Sequence, residues 1–201
     1  MRAAGEDPLA PLVERARAGD RAAVHALVVS IGPALLRVAR QVLGPAHPEV
    51  PDVAQEAALG VLRRLDTFRG ECSMQHFACR VAVLTGMNVR RRERSQRFKA
   101  QRASELELAE ASAGTPEHRM LAQRTADALR ALLDELPAPQ AEVLCLHHMA
   151  GLTAIEIATL GGVPVETVRS RLRLGRKALM ARVLGDEQLL DTLGVSDGTA
   201  R

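Results

Sequence analysis

The segment from Gly151 to Leu172, GLTAIEIATLGGVPVETVRSRL, constrains the fold more than any other part of the chain, because it specifies two helices and the turn between them. Thr153 can accept a hydrogen bond from first-turn amides, Ile157 and Leu160 supply the buried face of the first helix, and Gly161 and Gly162 permit a tight turn. Pro164 suits the first turn of the second helix, where a missing N–H is no loss. In that second helix Val168, Leu172 and Leu179 share one face, so Glu166, Ser170, Arg173 and Lys177 point away from the core.

The remaining sequence agrees with helix. Ala, Leu, Arg and Glu are abundant and lose little rotamer freedom on a helical backbone, and β-branched alternation is scarce, so the expected class is all-α with almost no sheet. Hydrophobic residues at 47% and charged residues at 25% are globular proportions. A chain of 201 residues holds one sizeable domain or two small ones, and two small helical domains are expected. With no Trp or Tyr, and Phe68, Phe77 and Phe98 as the only aromatics, packing falls to Leu, Val, Ile and Ala.

Gly19 and Asp20 precede Val24, Leu27, Val28, Ile31, Leu35 and Val38, which recur at helical spacing; Pro33 should kink or divide this capped helix near Gly32. Gly44 to Pro51 reads as a loop. A second helix begins near Asp52, whose carboxylate can cap it, and buries Val53, Ala57, Gly60, Val61 and Leu65. A third runs from Ser73 towards Arg94, burying Phe77, Val81, Leu84 and Val89, with a basic run at its far end. From Gln101 to His118 the apolar stripe fails and Glu105, Glu107, Glu110 and Glu117 mix with small residues, which reads as an acidic, flexible linker. Helical spacing returns from Met120 through Leu121, Ala128, Leu129, Leu132 and Leu136 and stops at Pro137 and Pro139. The expected division is residues 11–98, a linker at 99–119, residues 120–183 and a tail at 184–201, the tail being a short helix or frayed.

No charged-then-apolar leader opens the chain and no uninterrupted apolar run approaches the ~20 residues of a membrane span, so a cytoplasmic protein without membrane insertion is expected. Three cysteines, Cys72, Cys79 and Cys145, are too few and too odd in number for a secreted disulfide framework, which leaves reduced thiols. The net charge of +3 is modest, but lysine occurs only at Lys99 and Lys177, so nearly all positive charge is guanidinium, suited to gripping phosphate or guanine with two parallel bonds. On the second helix of the Gly151–Leu172 unit, Glu166, Ser170, Arg173 and Lys177, with Thr167 beside them, form the face that meets DNA, and the residues near the helix start reach base edges in a major groove. Arg169, Arg171 and Arg176 flank them where phosphates pass. The unit reads as a helix-turn-helix (winged-helix-like) DNA-binding domain.

Taken with the upstream segments, the sequence resembles the extracytoplasmic-function group of the sigma-70 family of bacterial RNA polymerase sigma factors. The resemblance rests on Ala18-Gly19-Asp20 followed by Gly32 to Leu36, on Asp52-Val53-Ala54-Gln55-Glu56, on Phe68-Arg69-Gly70-Glu71, on the basic run Arg90 to Arg94, and on the carboxy-terminal helix-turn-helix. It implies an alternative sigma factor that binds core RNA polymerase through Asp52, Gln55 and Glu56. It also implies promoter contacts, with Phe68, Arg69, Asn88, Arg91 and Arg92 at the minus-ten element and the helix-turn-helix at the minus-thirty-five element. An acidic linker in the RNA exit path and an anti-sigma factor as inhibitory partner are implied too. The chain departs from the family pattern at Phe77, where Trp is frequent, at Leu84, where Asn is frequent, and at Asn88, where Asp is common.

Two other readings stay open at this level. A stand-alone helix-turn-helix regulator would bind DNA without entering the polymerase, and would owe nothing to Asp52, Gln55 and Glu56. A zinc or redox sensor would use Cys72, His76 and Cys79, which a continuous helix brings to one face, although a fourth zinc ligand is not evident. No phosphate-binding glycine loop, nucleophile elbow or metalloprotease motif is present, so neither an enzyme, a cofactor, a resident metal nor a small-molecule substrate is expected.

Overall fold

The computed structural model describes residues 7–103, residues 117–186 and Leu190, and among them there is no strand. Its helices are α1 (Ala10–Arg17), α2 (Arg21–Leu43), α3 (Val50–Arg63), α4 (Met74–Ala103), α5 (Glu117–Glu135), α6 (Ala138–His148), α7 (Ala154–Gly161) and α8 (Val165–Leu184), with a 3-10 turn at Leu65–Thr67.

Helix α2 is the spine of the first unit, with α1, α3 and α4 packed around it. Asp20 starts it: one carboxylate oxygen accepts from the amides of Ala22 and Ala23 at 2.9 and 3.2 Å, and the other takes Arg15 at 2.6 Å. Leu27, Ile31, Leu35 and Val38 are all fully buried along one stripe. By length and composition α2 could cross a membrane, but its apolar stripe is consumed by the core.

The expected break at Pro33 does not occur, and α2 runs unbroken from Arg21 to Leu43. Two features allow this. Gly32 has no Cβ to collide with the proline ring, and Pro33 and Val29 both lie on the exposed side, where water can reach the carbonyl that loses its donor. Helix α1 lies ahead of the stretch whose periodicity marks α2.

Helix α3 starts earlier than its capping pattern suggests. Glu49 is the cap position, Pro51 sits in the first turn, and Asp52 is an exposed first-turn residue that makes no cap bond. Val53, Ala57, Gly60, Val61 and Leu65 are buried as expected. Helix α4 continues nine residues beyond Arg94 to Ala103, and Leu84 is exposed rather than buried, because the partners of α4 cover Val81, Ala82, Val83 and Val89 instead. Residues 99–103 and 117–119 are therefore helical rather than linker, and the remainder of the linker, 104–116, lies outside the described residues, as does nearly all of the tail.

Pro137 and Pro139 begin α6 rather than merely ending α5, occupying the cap and first turn, where a missing amide is harmless. In the second unit α8 lies across α6 at Gly175, where an added Cβ would stand 2.8 Å from Leu144 Cδ1. The two units are packed on each other, α4 against α6 and α7. Val143, Leu144, Cys145 and Leu146 of α6 join the same buried cluster as Leu27, Ile31 and Leu35 of α2.

Candidate nucleic-acid interface

The turn between α7 and α8 is built by local bonds. The Thr153 hydroxyl accepts from the Glu156 amide at 3.3 Å while the Glu156 carboxylate accepts from the Thr153 amide at 2.7 Å, a reciprocal pair that satisfies two helix-start donors. Burial pushes the Glu156 carboxyl up, but the Thr153 amide and hydroxyl bonds, helped by His76 at 3.6 Å, outweigh it and hold the group below its ordinary value. Gly162 ends α7 in the left-handed region at φ 61°, where a Cβ would be strained. His147 Nδ1 lies 2.8 Å from the Leu152 carbonyl, so this nitrogen carries the proton and ties the loop before α7.

This frame fixes α8 with Val168 and Leu172 buried and Glu166, Arg169, Arg173, Arg176 and Lys177 exposed. Thr167, Ser170 and Arg171 are half-buried at the edges of that face. Glu166 pairs with Arg169, and its first-turn position also complements the positive end of the helix. Arg176 Nη2 lies 3.4 Å from His148 Nε2. Burial, then His147 and Arg176, pull the His148 pKa down, so its ring is neutral at pH 7.

A second surface lies between α3 and α4. Asp52, Gln55 and Glu56 line an open groove of about 860 Å³ together with Asn88 and Arg92, so residues far apart in sequence share one trough. Arg63 pairs with Glu56 at 3.1 Å, and Arg92 approaches Glu49 at 3.8 Å. Arg91 is exposed, with Nη1 at 3.4 Å from Asn88 Oδ1.

Phe68 and Phe77 are half-buried and pack on each other with ring centroids 5.2 Å apart and planes tilted by 46°. Arg17 of α1 holds this loop, its Nε donating to the Leu65 carbonyl at 2.9 Å and Nη2 to the Phe68 carbonyl. Arg69 is exposed beside a cavity of about 200 Å³ lined by Asp7, Val13, Arg17, Phe68 and Cys72. No sequence signal pointed to α1 as a wall of this loop.

The thiol and imidazole trio does not form the helical face expected of it. Cys72 precedes α4, which begins at Met74, and Cys79 is buried. No group of three or more metal-ligating side chains converges among the described residues. Burial, with Asp7 and Glu71 adding to it, pushes the Cys72 thiol up to about 11. Burial also raises Cys79 and takes Cys145 up to about 12, so all three are neutral thiols at pH 7.

The chain is similar to known proteins over most of its length. Residues 27–96 match sigma-70 region 2, and residues 126–179 match sigma-70 region 4. The ECF RNA polymerase sigma-E factor of Escherichia coli (strain K12) is 32% identical over 178 residues, covering 86% of this chain and 92% of that protein. The RNA polymerase sigma-H factor of Pseudomonas aeruginosa is 31% identical over 174 residues, covering 84% and 90%. Among solved structures, CnrH in complex with the cytosolic domain of CnrY has a similar fold, with a TM-score of 0.57, 22% identity, and 88% and 97% of the two chains covered.

Proposed function

Since the chain belongs to the extracytoplasmic-function group of the RNA polymerase sigma-70 family and is an alternative sigma factor, we propose how its residues divide the work of initiation. Asp52, Gln55 and Glu56 on the exposed side of α3 bind core polymerase, with the two carboxylates one helical turn apart on one face. Asn88, Arg91 and Arg92 on α4 meet the minus-ten element, asparagine through paired bonds to adenine and the guanidinium groups through phosphate. Phe68 and Arg69 border the loop cavity, where an unstacked base has room. The Phe68 ring itself serves mainly to support that loop through Phe77.

The exposed face of α8 reads the minus-thirty-five element, with Glu166, Thr167, Ser170 and Arg173 towards the helix start, where base edges come within reach. Arg169, Arg171, Arg176 and Lys177 grip the flanking phosphates. The domain limits are widened from 11–98 and 120–183 to 10–103 and 117–184, so that each domain keeps its helices whole. The protein binds and remodels DNA rather than catalysing a reaction, works in the cytoplasm, and is held inactive by a protein partner of the anti-sigma class.

The observation that carries this division is the shared α3–α4 groove, since a polymerase seated on Asp52 and Glu56 lies directly beside Asn88 and Arg92. Co-elution of the purified protein with bacterial core RNA polymerase tests it. The wild type co-elutes, and Asp52→Arg, Glu56→Arg does not while keeping its helicity. A reversed variant that co-elutes like the wild type would move the polymerase surface off α3.

A further inference from the structure

Arg176, on the exposed face of α8, has a neighbour from another helix. Gly175 just before it lets α8 cross α6 so closely that an added Cβ would stand 2.8 Å from Leu144 Cδ1 and 3.5 Å from Gln140 Cβ. This crossing brings the last turn of α6 alongside the exposed face of α8, and His148 in that turn presents Nε2 to Arg176 Nη2 at 3.4 Å. Both side chains are exposed. The Arg176 guanidinium forms no ion pair among the described residues, whereas Arg169 and Arg182 on the same helix pair with Glu166 and Glu135.

A guanidinium keeps its protons, so at this contact Nε2 is the acceptor and the His148 proton sits on Nδ1. A neutral imidazole thus fills a place beside a cation that an anion would fill better. The groups bearing on its charge are His147, packed edge-on with ring centroids 4.8 Å apart, and Arg176, both basic. On the side of α6 that meets α4 and α7 the carboxylates have basic partners of their own: Glu142 takes Arg80 at 2.9 Å, and Glu156 lies 3.6 Å from His76. The carboxy-terminal end of α6 favours a positive ring, but burial, His147 and Arg176 oppose it in the free protein. A phosphate reverses that balance, because it neutralises Arg176 and comes within hydrogen-bond reach of Nε2.

We propose that His148 and Arg176 are two halves of one binding site for a DNA backbone phosphate, and that the imidazole takes up a proton as the phosphate enters. The site rests on the assignment of α8 to promoter DNA and adds α6 to that surface. Arg176 turns its donors from the imidazole to one phosphate oxygen, Nε2 gains a proton from solvent, and the imidazolium donates it to a second oxygen of the same phosphate. The free ring titrates below its ordinary value and the bound ring above it. Binding therefore strengthens as pH falls through the bound value and levels off below the free one.

The test is the affinity of the full chain for a mixed-sequence DNA duplex of about 30 base pairs, whose phosphates dominate binding, measured from about pH 8 to about pH 5.5 over a range of salt. Wild-type affinity is expected to rise about ten-fold across that range, and the salt slope to steepen by about 1 as one more phosphate is neutralised. His148→Gln, whose amide cannot charge, loses most of both changes. His148→Arg, charged throughout, binds tightly at both ends without the rise, and it carries the test should the glutamine variant lose helicity. His25→Gln, on the exposed side of α2, keeps the wild-type profile. A wild type whose affinity ignores pH would overturn the site, and so would a folded His148→Gln protein that keeps the wild-type rise. Arg176→Ala reports on the underlying assignment: if it weakens binding while His148→Gln keeps the rise, the shared phosphate site alone falls, and if it binds as the wild type does, Arg176 leaves the DNA surface and the site falls with it.

Discussion

Gly86 sits where α4 crosses α2, and a Cβ added there would lie 2.9 Å from Val42 Cγ1 and 3.3 Å from Val42 Cβ. Val42 is 2% exposed and β-branched, with one strongly preferred rotamer in a helix, so it cannot swing aside. Gly86→Ala therefore sets two effects in opposition. Alanine in a helix interior is favoured over glycine by about 1 kcal/mol. Overpacking a dense core costs about 1–3 kcal/mol. The upper part of that range applies, because the nearest contact falls roughly 0.6 Å short of ordinary carbon separation and involves a stiff side chain. The net expectation is a loss of about 1–2 kcal/mol, which lowers Tm by about 2–8 °C for a chain of this size. Thermal unfolding followed by far-ultraviolet circular dichroism reads the change. Val42→Ala alone removes buried methyl groups and costs on the order of 2 kcal/mol. In the double variant the two changes share one space, so the combined loss is smaller than the sum of the single losses. A Gly86→Ala protein that melts higher than the wild type, as helix propensity alone requires, would refute the close approach of α2 and α4.

Three further outcomes follow from the geometry. Thr153→Ala removes the acceptor at the start of α7 and lowers stability by about 1 kcal/mol. Because the Glu156 carboxyl is held below its ordinary value, its contribution is fully present above the unfolded carboxyl pKa of about 4.3 and fades as pH falls through the lower folded value; Glu156→Gln flattens that part of an acid-unfolding curve. In DNA-binding titrations against salt, Arg176→Ala weakens all sequences alike and reduces the salt slope by about 1, whereas Arg173→Ala costs about 1–3 kcal/mol on the best site and relaxes discrimination there. Native protein at pH 8 reacts slowly with a thiol-specific chromogenic reagent at Cys79 and Cys145, because both are buried neutral thiols, and unfolding in guanidinium releases a rapid phase; fast titration of all three thiols in the native state would contradict the burial.

What could be read from the sequence was whatever depends on residues close together in it. The helix-turn-helix is the best example: Thr153, Glu156, Gly162 and Val168 act within a few residues of one another, so cap, turn and buried spacing specify the unit before any packing is known. The inward faces of α2 and α3 were legible for the same reason, since helical period fixes which side chains share a side. Helix limits were less so. Asp52 has the chemistry of a cap, but Glu49 takes that position because the chain turns earlier, and Pro33 passes through α2 because Gly32 and an exposed Val29 happen to surround it.

Only the tertiary structure decided how distant residues meet. Asp52 and Asn88 share a groove, Arg17 braces the Phe68 loop, and Arg90 and Arg130 bind partners in the opposite helical unit. Each is a long-range pairing, and an arginine's side chain carries no local mark of which carboxylate or carbonyl it will find. Periodicity constrains the face of a helix; the packing of other helices on that face selects the partner.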